Sequence, residues 1–454
     1  MNSKFTILTF IFSLFVLSGE AQNWQVVGIQ GFTPPVTQYS STAISVDHNG
    51  VPYIAYSDVS DSGKVTVMKF NGVSWVLVGN ADFSTGQGFG ISMAIDNNNT
   101  PYVAYGDNGN AYFATVMKFN GTNWVNVGTP GFSAGSIIST SLKVSSNDTL
   151  FIAYADNSLG NKAVVRKFDG TNWVNVGTPG FTTAAAEQLT MALNNNGVPY
   201  VGYQDDGNGF AASVMMFNGS NWAQVGNTGF SNGTCQYTNI IFDHTGINPY
   251  LCYNEGSNPF APNVQMYNGS SWSYVGSPDF SPGTAYQNGI GIDGNNIPYV
   301  VFPDGATSKA MVMNYNGTDW SAVGNVDFSM GEIWFPNVAI DAMNTVYVEY
   351  YDDADSDKVS VFKFETSTST NDINSISNIS IYPNPASSRI TIRNLRFMNY
   401  DLRITDILGN EVYHQPINNS NQSAIDISIL SNGVYFYEIK GDKEDLRGKF
   451  IVEK

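Results

Sequence analysis

Three observations predict an all-β chain: a seven-bladed β-propeller closed by its own N-terminal strand, followed by a small C-terminal β-sandwich. The string W-x-x-V-G-x-x-x-F occurs seven times, from Trp24, Trp75, Trp124, Trp173, Trp222, Trp272 and Trp320, at steps of 48 to 51 residues. Between these landmarks the same four runs recur, exemplified by Met93–Asp96, Pro101–Asp107, Ala114–Phe119 and the run from Trp124. Short β-branched and aromatic runs separated by turn residues read as strands, and four strands per ~50 residues make one propeller blade. The two ends are complementary. Trp24 begins a lone fourth strand, whereas the last unit, Ile333 to Phe364, has three strands and no fourth. Pairing them completes a seventh blade and removes two sheet edges, which an open solenoid would have no reason to do.

Taken in order, residues 1–21 read as a secretory signal. Lys4 supplies the positive start, Phe5 to Leu17 an apolar run, and Gly19 and Ala21 the small residues of a cleavage site. The apolar run is about 13 residues, short of the ~20 that cross a bilayer. No transmembrane segment is therefore expected in the mature chain. Residues 22–365 are the propeller. Within it, Asn-Gly pairs such as Asn120-Gly121 join strands, because both residues tolerate positive φ. The same strings match the glycan acceptor N-x-[ST], but their recurrence is explained by the hairpin. The repeated Trp and Phe, the latter Phe32, Phe83, Phe132, Phe181, Phe230, Phe280 and Phe328, are expected to fill the wedges between blades.

A polar linker, 366–377, ends the repeat, and 378–454 is a separate unit. Here four motifs stand in order: Tyr382-Pro383-Asn384-Pro385; Asp406-Ile407-Leu408-Gly409-Asn410; Leu430-Ser431-Asn432-Gly433-Val434-Tyr435-Phe436; and Lys449-Phe450-Ile451-Val452. This region resembles the type A sorting domain of the type IX secretion system of Bacteroidota. The resemblance implies a small β-sandwich that the outer-membrane machinery recognises. It also implies a cargo released from the cell or attached to its surface. Ile379–Tyr382 and Arg389–Ile392 alternate as half-buried strands do, in agreement. The propeller resembles, loosely, repeat propellers of secreted bacterial proteins and propeller lectins.

Charge and composition exclude several functions. The chain carries 20 Lys+Arg and 38 Asp+Glu. Residues 22–369 hold 10 and 27 of these, a net of −17. Nucleic-acid binding is not expected, since phosphate demands a basic surface. With 3 His and 2 Cys, no His/Cys metal site is expected. No Gly-rich phosphate loop opens a helix, so no cofactor is expected. His48 and His244 lie in turns of the type Asp47-His48-Asn49-Gly50, where structural roles prevail. Sialidases clamp their substrate carboxylate with three Arg, and Arg166 is the only Arg between 22 and 369. No catalytic residue is assigned. The register across the hairpin sets Cys252 opposite residue 239 or 240, several residues from Cys235, so no disulfide is expected.

What remains is binding. The second strand of each blade ends in a carboxylate: Asp58, Asp107, Asp156, Asp205, Glu255, Asp304 and Asp352. Each either caps the following turn or joins a ring of ligand-binding groups on one face. The start of the first strand holds Ser40, Phe89, Ile138, Glu187, Tyr237, Tyr286 and Trp334, with Tyr39 beside it. Aromatic rings there either plug the channel or rim its mouth, where flat rings stack on sugars. The expectation is a secreted or surface-attached, non-enzymatic protein that captures a carbohydrate or a basic peptide and leaves through the type IX machinery. The alternative is a carboxylate-dependent glycan hydrolase or lyase.

Overall fold

The structure is a computed structural model and describes residues 23–36, 42–256, 260–365, 380–395, 400–406, 409–417, 421–441 and 445–454. The signal segment, the linker and Tyr39 lie outside the described residues. The chain divides into two compact units, Met1–Thr366 and Ser367–Lys454.

The first unit is the seven-bladed propeller. Each blade is a four-stranded antiparallel sheet, with strands a to d running in chain order outward from the central axis. In the first blade they are Thr42–Val46, Pro52–Asp58, Lys64–Phe70 and Trp75–Leu77. The inner strands of successive blades touch one another around the ring, Thr42–Val46 meeting Ile333–Ile340 where it closes. The seventh blade is composite. Its strands a to c are Ile333–Ile340, Thr345–Asp352 and Lys358–Glu365, and its strand d is Gln25–Val26 from the other end of the chain. Gln25 stands opposite Lys363, and Val26 opposite Phe362.

Strand b is buried along nearly its whole length, because neighbouring blades cover both faces of each sheet. Strands c and d are joined by Asx turns. Asn120 Oδ1 accepts from the N–H of Thr122 (3.0 Å) and of Asn123 (2.9 Å), and Gly121 takes φ +96°. The acceptor-like Asn residues are thus engaged in their own turns.

The W-x-x-V-G-x-x-x-F motif is an inter-blade clasp. The indole Nε1 of each Trp donates to the carbonyl of the motif Val in the preceding blade, as Trp124 does to Val78 at 2.7 Å and Trp173 to Val127 at 2.8 Å. The motif Phe of that preceding blade stacks on the same Trp: Phe83 on Trp124 at 4.3 Å and 11°, and Phe181 on Trp222 at 3.9 Å and 6°. Trp24 repeats the arrangement across the closure, with Val323 and Phe328.

The motif Gly exists for this contact. Gly79 has φ +74°, and a Cβ there would lie 2.7 Å from the Phe119 ring. Gly79→Ala is expected to cost about 2–4 kcal/mol in denaturation, from left-handed backbone strain plus overpacking. Gly72→Ala, with φ +93° and nothing within 4 Å, is expected to show the backbone share alone, about 1–2 kcal/mol. Equal losses at the two sites would refute the packing argument.

The second unit is a two-sheet β-structure. One sheet orders Ser380–Tyr382, Arg389–Leu395 and Asn421–Asp426. The other orders Glu411–Ile417, Tyr400–Thr405, Gly433–Gly441 and Asp445–Val452. Ile390, Ile392, Leu402, Ile404, Ile425, Ile439 and Phe450 form its core.

Candidate functional site

Six of the seven carboxylates at the ends of the b strands are turn caps. Asp58, Asp107, Asp156, Asp205 and Asp352 each accept from the backbone N–H two residues on, opening a 3₁₀ turn. Asp304 accepts from Ala306 and Thr307. Several also hold the loop that enters their own blade. Asp107 accepts from Gly86 N (3.1 Å) and from the Thr85 hydroxyl, and Asp352 from Met330 N (3.0 Å). Glu255, one methylene longer, accepts from the Tyr274 hydroxyl at 3.1 Å, and burial raises its pKa. All but Asp304 are buried.

The inner strands surround a central cavity of about 410 Å³, to which all seven blades contribute. Its position depends on a β-bulge. In five inner strands one extra residue enters the pairing with strand b, as between Phe89 and Ser92 or between Gln236 and Asn239. In four of these a bulge residue takes left-handed backbone: Gly90 (φ +58°), Gln188 (+49°), Tyr237 (+54°) and Phe335 (+49°). All four line the cavity. A bulge re-aims side chains, and non-glycine residues hold φ > 0 only where their surroundings impose it. Here the neighbouring blade imposes it. Gln188 Oε1 accepts the N–H of Tyr237, and Gln287 Oε1 that of Phe335.

Of the five predicted rim aromatics, four lie among the described residues, and the structure sorts them. Phe89 and Tyr237 line the cavity. Tyr237 does so from the bulge itself, one position further along its strand than Phe89, Glu187 and Trp334. Tyr286 is 63% exposed and stacks on Phe260 at 6.3 Å. Trp334 packs against the core between the seventh and first blades, and its neighbour Phe335 reaches the cavity instead.

The lining is lopsided. Its side-chain amides, Gln188, Asn239, Gln287, Asn288 and Asn337, all come from the arc of blades four to seven, while hydroxyls (Thr42, Ser139, Thr140, Thr190, Thr238) and apolar groups (Phe89, Ile91, Ile138, Leu189, Phe335) are spread around the ring. Part of this arc is cross-linked: Asn239 donates to Asn288 Oδ1 (3.1 Å), and Asn288 to Asn254 Oδ1 (2.6 Å). Among the described residues the Oε1 atoms of Gln188 and Gln287 are the engaged ends, which leaves their Nε2 groups to donate to a ligand.

Behind the lining lies a residue the sequence reading passed over. Glu349 is completely buried, on strand b of the seventh blade. Its Oε2 accepts from Asn337 Nδ2 at 3.0 Å, while its Oε1 is buried without a well-aligned hydrogen bond among the described residues. Burial pushes its pKa up to about 7; the Thr42 hydroxyl and Asn337 amide pull it back only in part. Thr42 and Asn337 both line the cavity, so Glu349 stands one side chain behind its wall. The repeat signals it. At the equivalent position the other blades hold Ala55, Ala104, Ala153, Gly202, Cys252 and Val301, all small or apolar.

His48 and His244 sit in a-to-b turns away from this lining; the His48 N–H donates to Asn99 Oδ1 at 2.9 Å. Cys235 and Cys252 are buried free thiols, Cys252 standing opposite Asn239 and Cys235 opposite Glu255. Among the described residues, no group of three His, Cys, Asp or Glu could hold a metal, and no helix is long and apolar enough to cross a membrane.

In the second unit three of the four motifs converge. Asn384 Oδ1 accepts from Ile451 N (2.8 Å), Ala386 bridges to Val452, and Phe436 pairs with Lys449. Tyr435 donates to Ser431 O (3.0 Å) and stacks on Phe450 at 5.9 Å. Asp406, Gly409 and Asn410 form a hairpin turn, with Gly409 at φ +82° and Asn410 N donating to Asp406 Oδ1. Residues 380–453 match the profile of the family described as the secretion system C-terminal sorting domain. This unit is a type IX secretion sorting domain. On the sorting domain, Tyr382 is half-buried, Pro383 and Pro385 are exposed, and Gly433 opens the strand that carries Tyr435. Val434 and Ile451, directly paired, and Phe436 beside them leave an apolar strip exposed next to Lys449.

No curated protein matches the chain. Among solved structures, an ulvan lyase of polysaccharide lyase family 25 aligns at 11% identity and a TM-score of 0.48, covering 75% of this chain and 95% of its own. A Dyadobacter fermentans protein of unknown function aligns at 10% and 0.44 (76% and 99%). The Aleuria aurantia lectin aligns at 14% and 0.42 (66% and 99%). At these identities the likeness reaches no further than the fold.

Proposed function

We propose that this is an exported binding protein whose propeller captures a carbohydrate in its central cavity, and whose sorting domain delivers it through the type IX machinery to the cell surface or beyond. The observation that carries the reading is the lopsided cavity. Sugars present hydroxyls on their edges and apolar C–H faces between them. An amide arc on one side, set among apolar groups such as Phe89, Ile91, Ile138 and Leu189, matches both, and about 410 Å³ falls within the ~300–1,000 Å³ range of small-molecule sites. The sorting domain supports a site that acts at the cell surface or beyond. Binding is preferred to glycoside hydrolysis because that reaction needs two carboxyl groups at the scissile bond. Among the described residues that line the cavity, none is Asp or Glu. A basic peptide is disfavoured for the same reason.

A glycan array with the mature chain, followed by an assay for product release on any hit, tests this. Ile138 lines the cavity yet is 47% exposed, so Ile138→Trp fills the cavity without disturbing the core. It is expected to weaken the hit at least tenfold with an unchanged melting curve. Tyr286→Ala, outside the lining, is expected to have no effect. Retained binding in Ile138→Trp moves the site elsewhere, and product release assigns an enzyme.

A further inference from the structure

The few basic residues of the propeller are not scattered. Residues 22–369 hold 10 Lys and Arg against 27 Asp and Glu, yet four of the ten occupy one equivalent position on strand c. They are Lys363, Lys69, Lys118 and Lys167, in blades seven, one, two and three, a contiguous arc that crosses the ring closure. In each blade the Lys stands directly opposite an aromatic residue on strand b: Tyr347, Tyr53, Tyr102 and Phe151. Lys69 lies over the Tyr53 ring at 5.7 Å. In the other three blades the same position holds Met216, Met266 and Asn314.

Two neighbouring clefts open along this arc, each the ring-symmetry image of the other. The cleft between blades one and two, about 530 Å³, is lined by Tyr53, Lys69, Pro101, Lys118 and the Asn120-Gly121 turn. The cleft between blades seven and one, about 560 Å³, has Tyr347, Lys363, Pro52, Lys69 and the Asn71-Gly72 turn in the same places. Each therefore sits between two lysines, with tyrosine at its wall. Charge balance differs between them. Lys363 is paired with Glu365. Lys69, Lys118 and Lys167 form no ion pair among the described residues. The carboxylates of the neighbouring a-to-b turns are engaged by backbone: Asp47 and Asp96 cap these turns, accepting from Asn49 and Val51, and from Asn98 and Thr100. The acidity of the rest of the ring is screened beyond ~8 Å at physiological salt.

We propose that this arc is a second binding surface, separate from the central cavity, for an acidic polysaccharide, with its anion seat in the cleft between Lys69 and Lys118. Sugar rings bearing carboxylate or sulfate suit a cleft that couples ammonium groups to aromatic and turn-amide walls, and the repeated clefts offer a polymer successive contacts one blade apart. A rod-like polyanion such as duplex DNA meets the acidic remainder of the ring instead.

The test titrates the mature chain with polygalacturonate, dextran sulfate and neutral dextran at two salt concentrations. Binding to one or both acidic polymers and none to dextran is expected, and the two arms separate carboxylate from sulfate. Lys69→Gln/Lys118→Gln, and Lys118→Gln alone, are expected to lose at least tenfold and about threefold in affinity, with a shallower salt dependence. Lys69→Arg/Lys118→Arg is expected to retain binding. Lys162→Gln/Lys309→Gln, at the opposite end of strand c, is expected to leave acidic-polymer affinity unchanged. Undiminished affinity in the double Gln variant, equal loss in the Lys162/Lys309 variant, or tighter binding of duplex DNA or polyglutamate would overturn the proposal.

Discussion

Trp24→Ala is expected to destabilise the propeller by about 3–5 kcal/mol, the usual range for emptying a buried large aromatic site. Trp24 is buried, stacks on Phe328 at 4.8 Å, leans on Phe364 at 5.4 Å and donates its indole N–H to Val323 O at 2.8 Å. The other six clasps join blades that the chain already connects. This one joins residues 301 and 299 positions apart, through Trp24 N on Asn325 Oδ1 and Trp24 Nε1 on Val323 O, and it anchors the start of a segment that continues through Gln25–Val26 and the bonds of Val27, Phe32 and Val36 along the last propeller strand. Its loss therefore loosens the leading end of the segment that covers the edge of Lys358–Glu365. Trp173→Ala removes comparable area inside the ring and serves as the control. Both variants should melt earlier, but only Trp24→Ala should make the N-terminal segment rapidly cleavable by protease under native conditions. Equal protease resistance would show that the closure does not depend on the clasp.

Glu349→Gln is expected to abolish a pH dependence of stability. The carboxyl has an ordinary pKa of 4.5, and burial raises it to about 7 in the fold. The folded state thus holds the proton more tightly than the unfolded chain. Stability from this group is complete below 4.5, falls as pH rises, and is lost by about 7. The difference amounts to about 3 kcal/mol at 1.36 kcal/mol per pH unit. Gln can still accept from Asn337 and places a neutral amide where Oε1 has no aligned partner. The variant should match the wild type near pH 4 and exceed it by about 2–3 kcal/mol at pH 8. Denaturant melts of both proteins across this range measure the difference, and the many exposed carboxylates cancel. Parallel curves would show that Glu349 carries no raised pKa. Because Asn337 and Thr42 stand between Glu349 and the cavity, ligand affinity measured on the same pair reports whether its charge is felt there.

Much of this was legible in the residues. Seven W-x-x-V-G-x-x-x-F strings, spare ends and Asn-Gly turns determined the blade count, the closure and the hairpins, because each depends on contacts that every repeat must make. The turn chemistry of the strand-b aspartates is local, so it was readable as a cap two residues from its partner. The tail motifs announced the sorting domain, which the family match confirms. The lining of the cavity was not readable. One extra residue in five inner strands shifts which side chains face inward, exchanging Trp334 for Phe335. That bulge is held by residues a whole blade away, Gln188 on Tyr237 and Gln287 on Phe335, 49 and 48 positions apart. Glu349 was visible as a break in the repeat, but its burial, and hence its raised pKa, belongs to the packing of the seventh blade against the first. Periodicity records what all blades share; the tertiary structure decides where single blades differ, because only there do side chains distant in the chain meet.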